Sequence, residues 1–208
     1  MPRQTLLKAA LTFVLTAAAL AGLTDHFAAA LIERLLPLFH SELTLLLPAF
    51  HINSLGARIE HHEAVVALSA TLTEYRVVLG QVFPSGVAVN ASTLAAHAWV
   101  HPVLMLALAA SWPGIAFRQR PGLLLLLCLP FVGLAEMLDI PLTLWGAVED
   151  VLYWQVDPAR IGASLGSRVQ HFLDGGGRYA ISMVLALLAI ALFRTVASRL
   201  ARATPGNE

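Results

Sequence analysis

Two carboxylates, Glu136 and Asp139, stand inside an otherwise apolar run, Leu123–Trp145. An ionisable group in a lipid-spanning helix costs roughly 3 kcal/mol or more unless it is paired or faces a cavity, so such a group points to a functional site. A neighbouring apolar run starts near Ala95 and carries His97 and His101. Histidines at i and i+4 share one helix face. Two imidazoles so spaced can bind one divalent metal ion, with Glu136 and Asp139 supplying the further ligands that such a site needs. Taking each run as a helix rising about 1.5 Å per residue, His101 and Asp139 both fall about 9 Å inside the outer end of their runs, and Glu136 about 4 Å deeper. The depths agree, which a shared site requires.

The elements that must carry these groups are membrane helices. The chain has 208 residues, 58% apolar and 12% charged, with a mean hydropathy of +0.73. Soluble domains carry about 25% charged residues. Four stretches meet or approach the roughly 20 apolar residues that span a bilayer: about 6–23, about 95–116, 123–145 and about 179–196. The fold class expected is a mainly α membrane protein, one polytopic domain over 1–208. It has four transmembrane helices, a small extracytoplasmic β segment and amphipathic outer helices. The formal net charge is zero, which offers nucleic acid no electrostatic footing.

Charge asymmetry orients the spans. With the N-terminus inside, the cytoplasmic pieces hold Arg3, Lys8, Arg118, Arg120, Arg194, Arg199 and Arg202 against one acid, Glu208. The outer segments 24–94 and 146–178 hold six arginines against ten acids. This positive-inside pattern implies that both termini are cytoplasmic and that two loops lie outside. A signal peptide is the competing reading of the first run, with Arg3 and Lys8 as its basic region and Ala19–Ala21 as a small-residue cleavage site.

The outer segments have their own patterns. In residues 24–49, Leu31, Leu35, Leu38 and Phe39 recur at helical spacing, which predicts an amphipathic helix on the membrane surface, broken at Pro37. Alternation at 57–61, 66–72 and 87–90, with a turn at Pro84-Ser85-Gly86, predicts an antiparallel sheet of two to four strands. In the second outer segment, Asp157 caps a helix that Pro158 begins. Ile161, Leu165, Val169 and Phe172 form its apolar stripe, and Gly175–Gly177 ends it. Trp145, Tyr153 and Trp154 belong at the membrane interface.

The four polar residues also have plainer readings. His97 is close enough to the interface to be solvated. His101 precedes Pro102, which belongs in the first turns of a helix, so the span would begin there. Glu136 and Asp139 can pair with Arg168 or Arg178 of the outer hairpin, or hold a partner helix, since polar groups join membrane helices. His61-His62-Glu63 reads as a solvated turn and Cys128 as a small buried hydrophobe. Arg118 and Arg120 are topology determinants. No Gly-rich phosphate loop or HExxH occurs, and no inverted repeat suggests a transporter.

The stretches STLAAHAWVHPVLMLALAASWPG (92–114) and FLDGGGRYAISMVLALLAIAL (172–192), set in the four-span layout, resemble the small membrane proteins that accompany exosortases, in particular exosortase H. The resemblance implies an accessory role beside envelope protein sorting, with another integral membrane protein as partner and no cofactor. Exosortases themselves resemble one another in a membrane-embedded Cys with Arg and His partners. Cys128 lies about one third of the way in from the cytoplasmic end, with neither residue type at that depth, so no catalytic residue is carried over. The alternative reading is a metal-dependent membrane enzyme built on His97, His101, Glu136 and Asp139.

Overall fold

A computed structural model of the chain describes residues 3–115, 119–126 and 130–203. The chain is mainly helical, with a small β element. Two helical stretches have the length and apolarity to cross a membrane, Arg3–Ala21 and the run Leu165–Arg199, which kinks at Gly176. The fold divides into two compact units, residues 1–22, 100–135 and 179–208 in the first and 23–99 and 136–178 in the second.

The first unit is helical. Helix α1 (Arg3–Ala21) has no buried residue. Around its neighbours α3 (Ala96–Ser111), α4 (Arg120–Leu126), α5 (Val132–Met137) and α8 (Arg178–Ala203) a core forms from Met105, Ala109, Leu123, Val132, Ala135, Ala186, Ala189 and Ile190. Alanines recur on both α3 and α8, which lets backbones approach closely, as in packed membrane helices.

The second unit places helices against a sheet. Strands β1 (Phe50–Glu60), β2 (Glu63–Leu72) and β5 (Ala88–Leu94) form an antiparallel sheet in the order β1-β2-β5, with a bulge in β1 between Ile52 and Ser54. Between β2 and β5 the chain makes a separate hairpin, β3 (Arg76–Val78) and β4 (Gln81–Phe83). So the expected β segment exists, with five strands in two sheets. Helix α2 (Thr24–Leu46) packs on β1 and helix α6 (Ile140–Val156) on β5. The core joins Ile32, Phe39 and Leu43 of α2 to Val66, Leu68 and Ala70 of β2 and to Ile140, Leu144, Val148 and Leu152 of α6. The α6 set recurs every fourth residue, one face of a helix.

Several expectations change. Helix α2 runs through Pro37 unbroken. Ile32 before the proline and Phe39 and Leu43 after it are fully buried, and that packing outweighs the one hydrogen bond proline removes. Its buried face is Ala28, Ile32, Phe39 and Leu43, against the sheet, while Leu38 is exposed. Helix α3 is 16 residues long and begins five residues before His101, with Pro102 inside it. The run Leu123–Trp145 is not one helix: α5 ends at Met137, Leu138 and Asp139 form a turn, and α6 starts at Ile140. Pro141 explains the break, because its ring would meet the carbonyl of Met137 and it has no N–H to donate there. Asp157 does cap, accepting from the Ala159 N–H at 3.0 Å, but only a single 3₁₀ turn follows. Helix α7 (Leu165–Phe172) starts instead at Ser164, whose hydroxyl accepts from the Ser167 N–H. Gly175–Gly177 does end the regular helix: Gly176, at φ 114°, lies outside the helical region, and the chain kinks there before α8 begins.

Candidate functional site: buried ion pairs at the ends of α6

Asp139 sits at the turn that the proline forces and is completely buried. The Thr143 hydroxyl, one helical turn on, donates to Asp139 Oδ1 at 3.1 Å, and the Thr143 N–H donates to its carbonyl at 2.8 Å. Arg178, where the π-type turn meets α8, brings its Nε to 3.3 Å from Asp139 Oδ2. The Arg178 side chain is also buried, and its Nη2 donates to Asp174 at 2.8 Å, one turn back. Arg178 is one of the two arginines the sequence offers as a partner for the acids. Arg168, the other, is exposed on α7. A buried pair of this kind adds little net stability compared with apolar groups of the same volume. Removing one partner is what costs, about 3–5 kcal/mol, because a lone charge is left inside.

Glu136, on the last turn of α5, is also completely buried, and neither of its carboxyl oxygens has a hydrogen-bond partner among the described residues. The two acids that look equivalent in the sequence therefore have opposite surroundings. His97 is half-buried, with Nδ1 3.1 Å from the Thr93 hydroxyl. His101 is buried, with Nδ1 2.7 Å from the Ser182 hydroxyl of α8. Among the described residues, no three His, Cys, Asp or Glu side chains gather as a metal site would require. All four candidate ligands are described residues, so His97, His101, Glu136 and Asp139 do not make the ligand set expected of the metal reading. Cys128 and Arg118 lie outside the described residues.

His61 and His62 form the two-residue turn between β1 and β2, both at positive φ (49° and 71°). Such turns match the twist of a hairpin and normally take Asn-Gly. Histidine is among the side chains that tolerate this conformation.

Two further polar ties are not evident from the sequence. Arg76 of β3 reaches Glu149 of α6 with two hydrogen bonds, 2.8 and 2.9 Å, to the two carboxylate oxygens. Asp150, the next residue, accepts from the Ser167 hydroxyl and, at 3.1 Å, from the Gly162 N–H, and lies 3.3 Å from the His171 ring. Ser, Asp and His meet here, but the aspartate stands between the other two. The serine is fully buried and bonds the carboxylate directly, so no imidazole base faces its hydroxyl, as nucleophile activation requires. The cluster clips α7 to α6. The same pair of helices meets at glycines. A Cβ on Gly146 would lie 2.5 Å from both Gln170 Cβ and the Gly166 carbonyl oxygen. The one sequence cue to these ties is the pair Glu149-Asp150 in an apolar helix. Their partners lie 73 and 17 residues away along the chain.

On α2, Glu42 has one carboxyl oxygen buried without a partner among the described residues, and burial raises the pKa of the group above its ordinary value. Nothing among protein-family models, curated proteins or solved structures matches the chain.

Proposed function

We propose that this protein is a non-enzymatic accessory protein of a bacterial inner membrane, which holds a folded outer unit for another integral membrane protein of an exosortase-type sorting system. The observation that carries this reading is the commitment of Asp139 to Arg178 and Thr143. The group best suited by type to do chemistry already serves as a tie inside the second unit. His97, His101 and Asp150 likewise have hydroxyl partners.

In this reading the chain crosses the membrane four times with both termini inside. α1 and α8 are the long spans. α3 crosses with 16 residues, about 24 Å of rise, and the region from α4 to α5 makes the remaining crossing. The positive-inside charge pattern supports this topology. So does the division of the fold, since its second unit contains both segments that the charges assign to the outside. The resemblance of 92–114 and 172–192 to exosortase-associated proteins supplies the kind of partner.

Two experiments test the proposal. Alkaline phosphatase fused after Gly80 should be active and fused after Arg202 inactive; the reverse would overturn the topology. The tagged chain, solubilised from its own cells, should co-purify with an exosortase-type transpeptidase. Stoichiometric bound metal, lost in His101→Ala and in Asp139→Ala, with no co-purifying membrane protein, would restore the enzyme reading.

A further inference from the structure

The β3–β4 hairpin carries an unusual tip. Val77 and Val82 are directly paired across the strands, and Leu79 and Gly80 form the two-residue turn. Leu79 has φ 51°, a left-handed conformation that costs a non-glycine residue about 1 kcal/mol or more. The hairpin's inner face is anchored, because Val78 and Phe83 are buried and Arg76 is held by Glu149. Its outer face is apolar and open: Tyr75, Val77, Leu79 and Val82 are 74%, 55%, 48% and 59% exposed. No ionisable side chain occurs from Val77 to Asn90. Strain and exposed aliphatic surface thus coincide at one tip, which is where function tends to maintain both.

We infer that this tip is a lipid-contacting finger that enters the interfacial layer of the bilayer in which the chain is anchored. The area argues against a protein as the occupant. Four part-exposed side chains offer on the order of 400 Å², against about 800 Å² per partner in a specific protein interface. A lipid surface has no such threshold, and apolar side chains gain there in proportion to area. The composition fits the same occupant, with an aromatic at the base, where Tyr suits the headgroup level, and aliphatics without charge beyond it. The depth is limited. A two-stranded hairpin has two unpaired edges, whose N–H and C=O groups need water, so it cannot enter the hydrocarbon core.

The inference rests on the membrane reading and is independent of the sorting partner. Its test uses the full chain with Cys128→Ser, carrying Leu79→Cys or Val82→Cys labelled with an environment-sensitive fluorophore, in phosphatidylethanolamine–phosphatidylglycerol vesicles. His62→Cys, at the tip of the other hairpin, is the comparison. The labels at 79 and 82 should emit to the blue of the label at 62, and a spin-labelled lipid should quench them at least twofold more strongly. Equal emission and equal quenching by aqueous iodide at all three sites would overturn the inference while leaving membrane insertion intact. A blue shift that ignores the lipid quencher and grows with the protein-to-lipid ratio would overturn it in favour of a second copy. Failure of the chain to remain with the vesicles after alkaline washing would remove the membrane reading, and the inference with it.

Discussion

The two ends of α6 handle buried acids differently. At its N-terminal end Asp139 is tied to Arg178 and Thr143, while Glu136, three residues earlier, is buried with no hydrogen bond to either carboxyl oxygen among the described residues. Toward its C-terminal end both acids are satisfied, Glu149 by the Arg76 guanidinium and Asp150 by the Ser167 hydroxyl and the Gly162 N–H. The carboxylates at the two ends of α6 follow their partners, not their sequence context. Asp139, Glu149 and the partly buried Asp150 lock separate elements onto α6, and Glu136 stands apart.

That contrast can be broken by substitution, and the largest effect belongs to the deepest pair. Arg178→Met should destabilise the folded chain by about 3–5 kcal/mol, since it leaves the buried Asp139 carboxylate without its cation. Denaturant unfolding in detergent would measure it, and a loss below about 1 kcal/mol would mean that the pair is not a tie. Gly146→Leu comes next. Its side chain would run into Gln170 and the Gly166 carbonyl, and overpacking of this kind costs about 1–3 kcal/mol. Loss of α6–α7 contact should appear as faster amide exchange across α7.

The C-terminal end should be more tolerant. The Arg76 side chain is 31% exposed, so water can take over part of its role. Glu149→Gln should cost about 1–3 kcal/mol, in the range of a hydrogen bond to a charged group. It should also loosen the β3–β4 hairpin, read by protease cutting near Gly80.

The unpaired acid should respond least among the buried set. Glu136→Gln should shift stability by less than about 1 kcal/mol, and Glu136→Leu should be neutral or stabilising, because no hydrogen bond is lost and a polar group leaves the interior. A large loss in both variants would show that Glu136 is the functional acid after all. Glu42→Gln should have the smallest effect and sharpen the comparison through pH. A carboxyl raised in the folded state gives a chain most stable while it is protonated, and stability falls as pH rises from the unfolded-state value toward the folded one. Glu42→Gln should flatten that fall just above pH 4.5 in thermal unfolding scans. An unchanged slope would exclude Glu42 as its source.

Much of the frame is legible in the sequence. Alternation in 66–72 marks β2, and Pro84-Ser85-Gly86 marks a turn. Asp157-Pro158 marks a cap, and the acids in the third run mark a buried polar cluster with Arg178 in reach. What sequence patterns miss is instructive. Hydropathy sums over a window and cannot see that Pro141 stops α5 from continuing into α6, so one apolar run reads as one span. The reverse happens at Pro37. A residue with poor helix propensity is carried along where the burial of Ile32, Phe39 and Leu43 outweighs it. The pairs Arg76–Glu149 and Asp150–Ser167 depend on tertiary placement, and no spacing rule identifies them.

The central claim is that the acid in the third apolar run is a structural tie, not a reactive group. A double-mutant cycle of unfolding free energies on Asp139→Asn and Arg178→Met tests it most directly. The account predicts non-additivity: the double variant should be at least about 1 kcal/mol more stable than the sum of the single losses implies, as for residues that interact. Additivity within about 0.5 kcal/mol, the behaviour of independent sites, would contradict the account and free Asp139 for another role.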